Sequence, residues 1–436
     1  MVTWRTGAVV AVLAVTLPLW PYPWLGVAVY AVLVGGAVTV DLVLAAPLTG
    51  VTLHRHGTRQ VRLGETTTVT LTVANRADRT LVADVRDGWV PSAGPSPYSW
   101  RVSVPPGGHR ELVTTLTPTR RGDRPAVRVT VRSYGPLRLA YRQPSQRAAD
   151  RMTPSWRLRV LPPFGSRRHL PEKLSRLRVL DGSVVTRGRG QGTEFDALRE
   201  YVLGDDVRSI DWRAMARRET VVVRTWRPER DRRVLCVLDT GRTSAARVGD
   251  IPRLDAALDA CLLLSALASR ADDRVDLIAA DTAIRASVQG ASRGTLLPKL
   301  MQAMAPLQPA LVETDFELVA AEVLRRERKR ALVILFTALE PGAIGEGLLP
   351  ALPALVARHQ VLVAAVHDPV LAEMSARRGD VSAVYAAAAA ERTLAERHQV
   401  HAALSRHGVE VVDAPADRFA SAVADTYLRL KAAGRL

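Results

Sequence analysis

Residues Val234–Ser244 read VLCVLDTGRTS: five apolar residues, then Asp239, then a loop carrying two threonines, a glycine and a serine. A short apolar run bounded by turn-forming residues reads as a buried strand. Working outward, further strands are expected at 274–280, 331–337, 361–366 and 409–413 beside the first at 233–238. Amphipathic helices are expected near 252–270, 293–305, 315–328, 343–358, 382–406 and 416–433. Such alternation is the pattern of an open, mostly parallel sheet covered on both faces, a Rossmann-type α/β domain. Ligands of these sheets bind beyond the carboxyl ends of the strands, and Asp239 stands at that place.

Immediately upstream, Gly192–Arg217 reads GTEFDALREYVLGDDVRSIDWRAMAR. A short helix is expected over FDALREYV, followed by the turn GDDVRSIDW. Asp205, Asp206 and Asp211 lie close in sequence to Arg208, Arg213 and Arg217, a spacing that allows several ion pairs. Asp205 or Asp206 is placed to cap a following turn by accepting its free amide hydrogens. Trp212 offers a large apolar face with one donor, suited to anchoring the segment on the next domain. Clustered carboxylates also suggest acid–base or metal chemistry. No histidine, nucleophile or open ligand set accompanies them, so a structural clasp is the favoured reading. The basic, glycine-containing stretch 164–194 before it reads as an extended linker.

The first part of the chain divides in two. From Gly7 to Ala46 almost every residue is apolar, and Asp41 is the only charge. Pro18, Pro21 and Pro23 break the run, so two membrane spans are expected, near 6–20 and 24–46. The first is short against the roughly 20 residues a span requires. Trp4, Trp20, Tyr22 and Trp24 fall where interfacial aromatics belong. Arg5 precedes the pair, and His54, Arg55, Arg59 and Arg62 follow it, which places both ends in the cytoplasm. A signal peptide ending near the prolines is the competing reading. After residue 50, VRLGETTTVTLTVANR, HRELVTTLTPT and AVRVTVRS alternate apolar with polar positions between Gly, Pro and Asp clusters. That is the pattern of an antiparallel β-sandwich with immunoglobulin-like character, without the Cys…Trp…Cys core of true immunoglobulin domains.

The chain of 436 residues carries a net charge of +17, which first suggests nucleic acid or an anionic membrane. Only four of its 60 basic residues are lysines, and the arginines are scattered rather than gathered in an aromatic-interleaved stripe. No specific nucleic-acid binding is therefore expected. A basic surface facing anionic lipid accounts for the charge. Cys236 and Cys261 sit in apolar runs and read as small buried hydrophobes. No phosphate-binding loop, HExxH or nucleophile elbow is present.

The Gly192–Arg217 stretch resembles the signature of the domain of unknown function 58 family. Gly192, Phe195, Leu198, Arg199, Tyr201, Gly204, Asp205, Asp206, Arg208, Ile210, Asp211, Trp212 and Arg217 carry the resemblance. It implies a C-terminal von Willebrand factor A-like domain. Such domains often hold a divalent cation through Asp-x-Ser-x-Ser after the first strand, a Thr on a second loop and an Asp on a third. Here Asp239, Thr243 and Thr314 match in kind. Gly241 replaces the middle serine, and Ala338 takes the place of the third-loop aspartate, with Thr337 near. The set is a degenerate site for Mg2+, which Asp315 or Glu340 would have to complete. The alternative is that Asp239 pairs with Arg242 or caps a helix.

The layout expected is therefore a transmembrane hairpin (1–48), an immunoglobulin-like β-sandwich (49–162), a linker and signature clasp (163–230) and an α/β von Willebrand factor A-like domain (231–436). The resemblance implies a multi-pass, membrane-anchored protein-binding adaptor rather than an enzyme. Its partner would be a MoxR-type AAA+ ATPase, bound through Asp239, Thr243 and Thr314. The alternative is a cell-envelope structural or adhesion-like protein with outward-facing domains.

Overall fold

The computed structural model describes residues 1–185, 194–202, 210–218, 220–227 and 232–436. The chain forms two compact units, Met1–Pro163 and Phe164–Leu436.

The first unit opens with helix α1, Trp4–Thr16, and helix α2, Pro23–Leu44. The prolines act as the sequence suggested. Pro18 tightens the end of α1 into a turn at Leu17–Leu19, and Pro23 starts α2 at a position where its missing N–H costs nothing. Trp20 packs edge-on against Tyr30 and donates its ring N–H to the Tyr30 hydroxyl at 2.9 Å. Among the described residues one helix, α2, is long and apolar enough to cross a membrane. The second expected span thus corresponds to α2, and the first to the shorter apolar helix α1. With 13 residues, α1 rises only about 20 Å, against a hydrocarbon thickness of about 30 Å.

Two sheets follow. One has the order Val51–Gly57, Thr67–Asn75, His109–Leu116, Pro95–Ser96. The other runs Gln60–Arg62, Arg157–Leu161, Gly122–Tyr134, Leu81–Trp89, Ser99–Val104, with Tyr141–Arg142 paired to Gly122–Tyr134. Alternate residues of each face a shared core: Leu53, Leu71 and Val73 from one, Leu81, Val85 and Val131 from the other. This is a β-sandwich. Arg55, read from sequence as a charge flanking the membrane, lies inside it and meets Asp87 at 2.5 Å. Burial pushes the Asp87 carboxyl up, and the Arg55 charge only partly offsets this.

The lone charge in the apolar run has a structural role. Asp41, fully buried, accepts the backbone N–H groups of Leu137 and Ala140, both at 2.8 Å. Arg142 donates to the Leu42 carbonyl at 2.8 Å, and Arg79 donates to that of Val43, which serves the unpaired carbonyls at the end of α2. The chain start binds the same strip. Thr3 N–H donates to Leu139 O at 2.8 Å and Tyr141 N–H to Met1 O at 2.8 Å. Gly135 permits this approach, because a Cβ there would collide with the Asp41 carbonyl and carboxylate.

In the second unit a six-stranded sheet runs Ile284–Val288, Arg274–Ala280, Arg233–Asp239, Leu332–Phe336, Gln360–His367, Glu410–Pro415. All pairs are parallel except the edge strand Ile284–Val288, which sequence reading did not anticipate. In chain order the strands stand 3-2-1-4-5-6, a doubly wound sheet whose order reverses between Arg233–Asp239 and Leu332–Phe336. Helices Arg253–Arg270, Arg293–Met304, Phe316–Arg326, Leu349–Val356, Val381–Arg406 and Ala416–Ala432 alternate with the strands.

The signature region departs from expectation. Residues Glu194–Glu200 form a strand, not a helix, paired antiparallel with Val222–Arg227. A partner more than twenty residues away satisfies the backbone there, so local helical preference loses. Asp211 caps the helix Trp212–Arg218, accepting the amides of Arg213 and Ala214 at 3.0 Å. Trp212 heads that short helix and is 65% exposed, so it does not serve as a buried anchor. The supposed linker contains the helix Leu170–Val185, whose buried Lys173 meets Asp425 at 2.7 Å and whose Leu177 is buried. Tyr201 donates its N–H to Val221 O, while Gly192, Gly204, Asp205, Asp206 and Arg208 lie outside the described residues.

The joint between α2 and the sandwich gives a first prediction. Gly135→Ala should destabilise the first unit by about 3 kcal/mol, the upper range for an unrelieved overpacking clash. Thermal denaturation of the detergent-solubilised chain would show it; an unchanged melting profile would mean the joint gives way freely.

Candidate functional site

The site lies at the carboxyl ends of the two central strands, where the strand order reverses. Asp239 ends the first of them and is 4% exposed. Its carboxylate accepts four hydrogen bonds. Gly241 N–H donates to Oδ1 at 2.7 Å and Thr314 Oγ1 to the same oxygen at 2.5 Å. Thr243 Oγ1 donates to Oδ2 at 2.9 Å, and Thr337 Oγ1 to the same oxygen at 2.6 Å. Three threonines from three loops thus meet on one buried carboxylate.

Backbone bonds lace the loops together. Ala310 N–H donates to Thr240 O, Arg242 N–H to Val312 O and Asp315 N–H to Asp281 O, at 2.7, 2.7 and 3.1 Å. Asp281, at the end of the neighbouring strand, accepts Thr240 Oγ1 at 3.1 Å and Arg285 Nε at 2.7 Å. Burial alone would raise the Asp281 carboxyl, but the bonds from Arg285, Thr240 and Ala283 outweigh it and hold it below its ordinary value.

Structure brings Asp239, Thr243 and Thr314 together as sequence suggested, and adds Thr337, Thr240 and Asp281. Thr337 follows the second central strand directly, at the switch point of the sheet, and that position was the available signal. Of the alternatives, Arg242 pairs with Glu313 at 2.7 Å rather than with Asp239. Asp315 caps the helix Phe316–Arg326 through the Leu318 amide at 2.8 Å, and Glu340 pairs with Arg253 at 2.8 Å. Neither completes a ligand set on Asp239. Arg253 also lines a cavity of about 20 Å³ with Asp239, Thr243, Ser244 and Thr337.

Hard divalent cations take six or more oxygens, with carboxylates compensating most of the charge. Asp239 supplies one carboxylate, both of whose oxygens already accept two donors each, beside the Arg253 guanidinium, and the second carboxylate, Asp281, is paired with Arg285. That donor set does not fit Mg2+. The glycine follows the same logic: a Cβ at Gly241 would collide with Thr314 Oγ1 and lie 2.9 Å from Val312 O. A serine here is excluded by the bond that Thr314 makes.

Two outcomes follow. Gly241→Ser, which restores the serine spacing of metal-holding loops, should instead displace Thr314 and cost about 1–3 kcal/mol of stability. Thermal denaturation with and without MgCl2 would check it, and stabilisation of the variant by magnesium would reverse the conclusion. Asp281 sets a pH dependence. Because its folded value is depressed, its contribution is present above the unfolded value near 3.8 and is lost as pH falls through the lower folded value. The acid limb of a melting-temperature profile should therefore shrink in Asp281→Asn.

Comparison with known proteins finds similarity over part of the chain. The uncharacterized proteins Rv1480 of Mycobacterium tuberculosis and Mb1516 of Mycobacterium bovis are each 29% identical over 194 residues, 44% of this chain and 60% of theirs. The chain thus spans about three-fifths of the length of the curated relatives it matches. Among solved structures, the CARDB domain of the PF1109 protein from Pyrococcus furiosus shows 16% identity and a TM-score of 0.20, covering 27% of this chain and 90% of that domain. The PKD domain of an M14-like peptidase from a Thermoplasmatales archaeon shows 10% identity and a TM-score of 0.16, covering 25% and 92%. Residues 197–409, which include the whole of the Asp239 cluster, match the family described as protein of unknown function DUF58.

Proposed function

We propose that the chain is a membrane-anchored protein-binding adaptor. Its second unit acts as a von Willebrand factor A-like domain, and its partner is a MoxR-type AAA+ ATPase in a chaperone-like or cell-envelope system. The observation that carries this reading is the convergence of Thr243, Thr314 and Thr337 on Asp239. It locks three loops into one platform at the switch point of a doubly wound sheet, where such folds bind their ligands. The bonds fix the three loops relative to one another, an arrangement suited to presenting a surface. The platform's rim mixes apolar and charged groups, with Leu311 81% exposed beside the Arg242–Glu313 pair. Protein interfaces use such a mixture.

The anchor in this reading is α2, with α1 returning beside it as a hairpin. Both ends of the α1–α2 segment fasten to residues 135–142, which favours their lying on one side of a bilayer. Trp4 and Trp24, 80% and 86% exposed, suit the two interfaces. Arg5 in the first turn of α1 and Arg59 and Arg62 after α2 favour the cytoplasm for that side, where an AAA+ ATPase would meet it.

A mild-detergent pull-down of the tagged full-length protein with ATP present tests the reading. An AAA+ ATPase should be among the partners, and its yield should fall by about tenfold in a folded Asp239→Ala variant, as for loss of a central interface residue. Recovery of envelope proteins without an ATPase would favour the outward-facing structural protein instead.

A further inference from the structure

An open cavity of about 640 Å³ lies in the first unit, where α2 meets the sandwich. That volume is in the range of small-molecule and cofactor sites. Leu42, Leu48 and Met152 give it an apolar wall, and Arg142 and Arg151 line it as well. No acidic residue is among those lining it. Among the described residues neither arginine pairs with a carboxylate; Arg142 Nε serves the Leu42 carbonyl, Arg151 Nε serves Arg147 O at 3.3 Å, and the neighbouring Asp150 is taken by Arg128 at 2.8 Å.

Its depth matters as much as its lining. Leu42 is two residues from the end of α2, a 22-residue helix that rises about 33 Å and so uses up the hydrocarbon thickness at that end. A cavity there sits at the level of lipid phosphates. An apolar wall continuous with the helix, beside two guanidiniums and no carboxylate, matches an acyl chain leading to an anionic headgroup.

We infer that this cavity holds one anionic phospholipid, its phosphate between Arg142 and Arg151 and its first methylenes against Leu42. The inference rests on α2 being the membrane anchor. It makes the joint between helix and sandwich a lipid-selective site rather than a passive tether.

The test uses the full-length protein in nanodiscs of phosphatidylcholine and phosphatidylglycerol in equal parts, with native mass spectrometry of the lipid retained after release. One phosphatidylglycerol should be kept in preference to phosphatidylcholine. The preference should fall about fivefold for each arginine removed, in Arg151→Gln and in Arg142→Gln/Arg151→Gln. Arg151→Gln alone leaves the Arg142–Leu42 bond in place, so its effect is separate from loss of the joint. Equal retention of both lipids, or retention unchanged in the variants, overturns the inference. So does displacement of the lipid by inorganic phosphate, which would mark a soluble-anion site. Flotation with phosphatidylcholine vesicles separates the two levels: a chain that floats without lipid preference keeps its anchor and loses this site, and a chain that does not float loses both.

Discussion

Everything at the working end of the second unit depends on one carboxylate that four donors share. Without Asp239 the loops after the two central strands, and the 310–315 crossing segment, would present three hydroxyls and an amide to one another with no acceptor between them. A buried donor without a partner costs about 1–3 kcal/mol, so four of them would use a large share of the roughly 5–15 kcal/mol that holds a domain together. That constraint acts beside the backbone bonds that cross between the loops. Gly241 is part of it, since the Thr314 bond occupies the space a side chain would need.

Aspartate as a fastener recurs through the chain. Asp41 ties a helix end to a strip of backbone, Asp87 holds Arg55 and Trp89 inside the sandwich, and Asp273 holds Lys431 and Tyr427 in the second unit. Each is almost wholly buried, and each takes at least one donor from a residue distant in sequence. A buried carboxylate of this kind costs solvation, and bonds to two or three donors offset it. These three aspartates therefore serve the assembly of the fold.

Legibility followed locality. The apolar run ending at Asp239 and the alternating helices could be read because period and punctuation are local properties, and the five principal strands fall close to where they were expected. The edge strand Ile284–Val288 alternates apolar with polar residues, yet at five residues it was too short to stand out. The strand Glu194–Glu200 was misread because its pairing partner is remote. Asp41 stood out as the lone charge in an apolar run, yet its two donors lie 96 and 99 residues away and no local pattern names them. At the site, Thr314 was found through a loop pattern. Thr337 was noted only as a neighbour of Ala338, and the structure puts it on Asp239.

The distance between Asp41 and its donors also has a meaning in time. The apolar segment leaves the ribosome well before residues 135–142 exist, and at about 5–20 residues per second the 96-residue gap lasts roughly 5 to 20 seconds. Throughout that interval Asp41 must stay hydrated at the end of α2, because no backbone amide is there to receive it. Synthesis thus imposes an order of events: the helix is set in place first, and the sandwich closes onto its acidic end afterwards. A chain whose translation stalls between the two would carry an exposed carboxylate beside bare helix carbonyls, a mark by which an unfinished joint differs from a finished one.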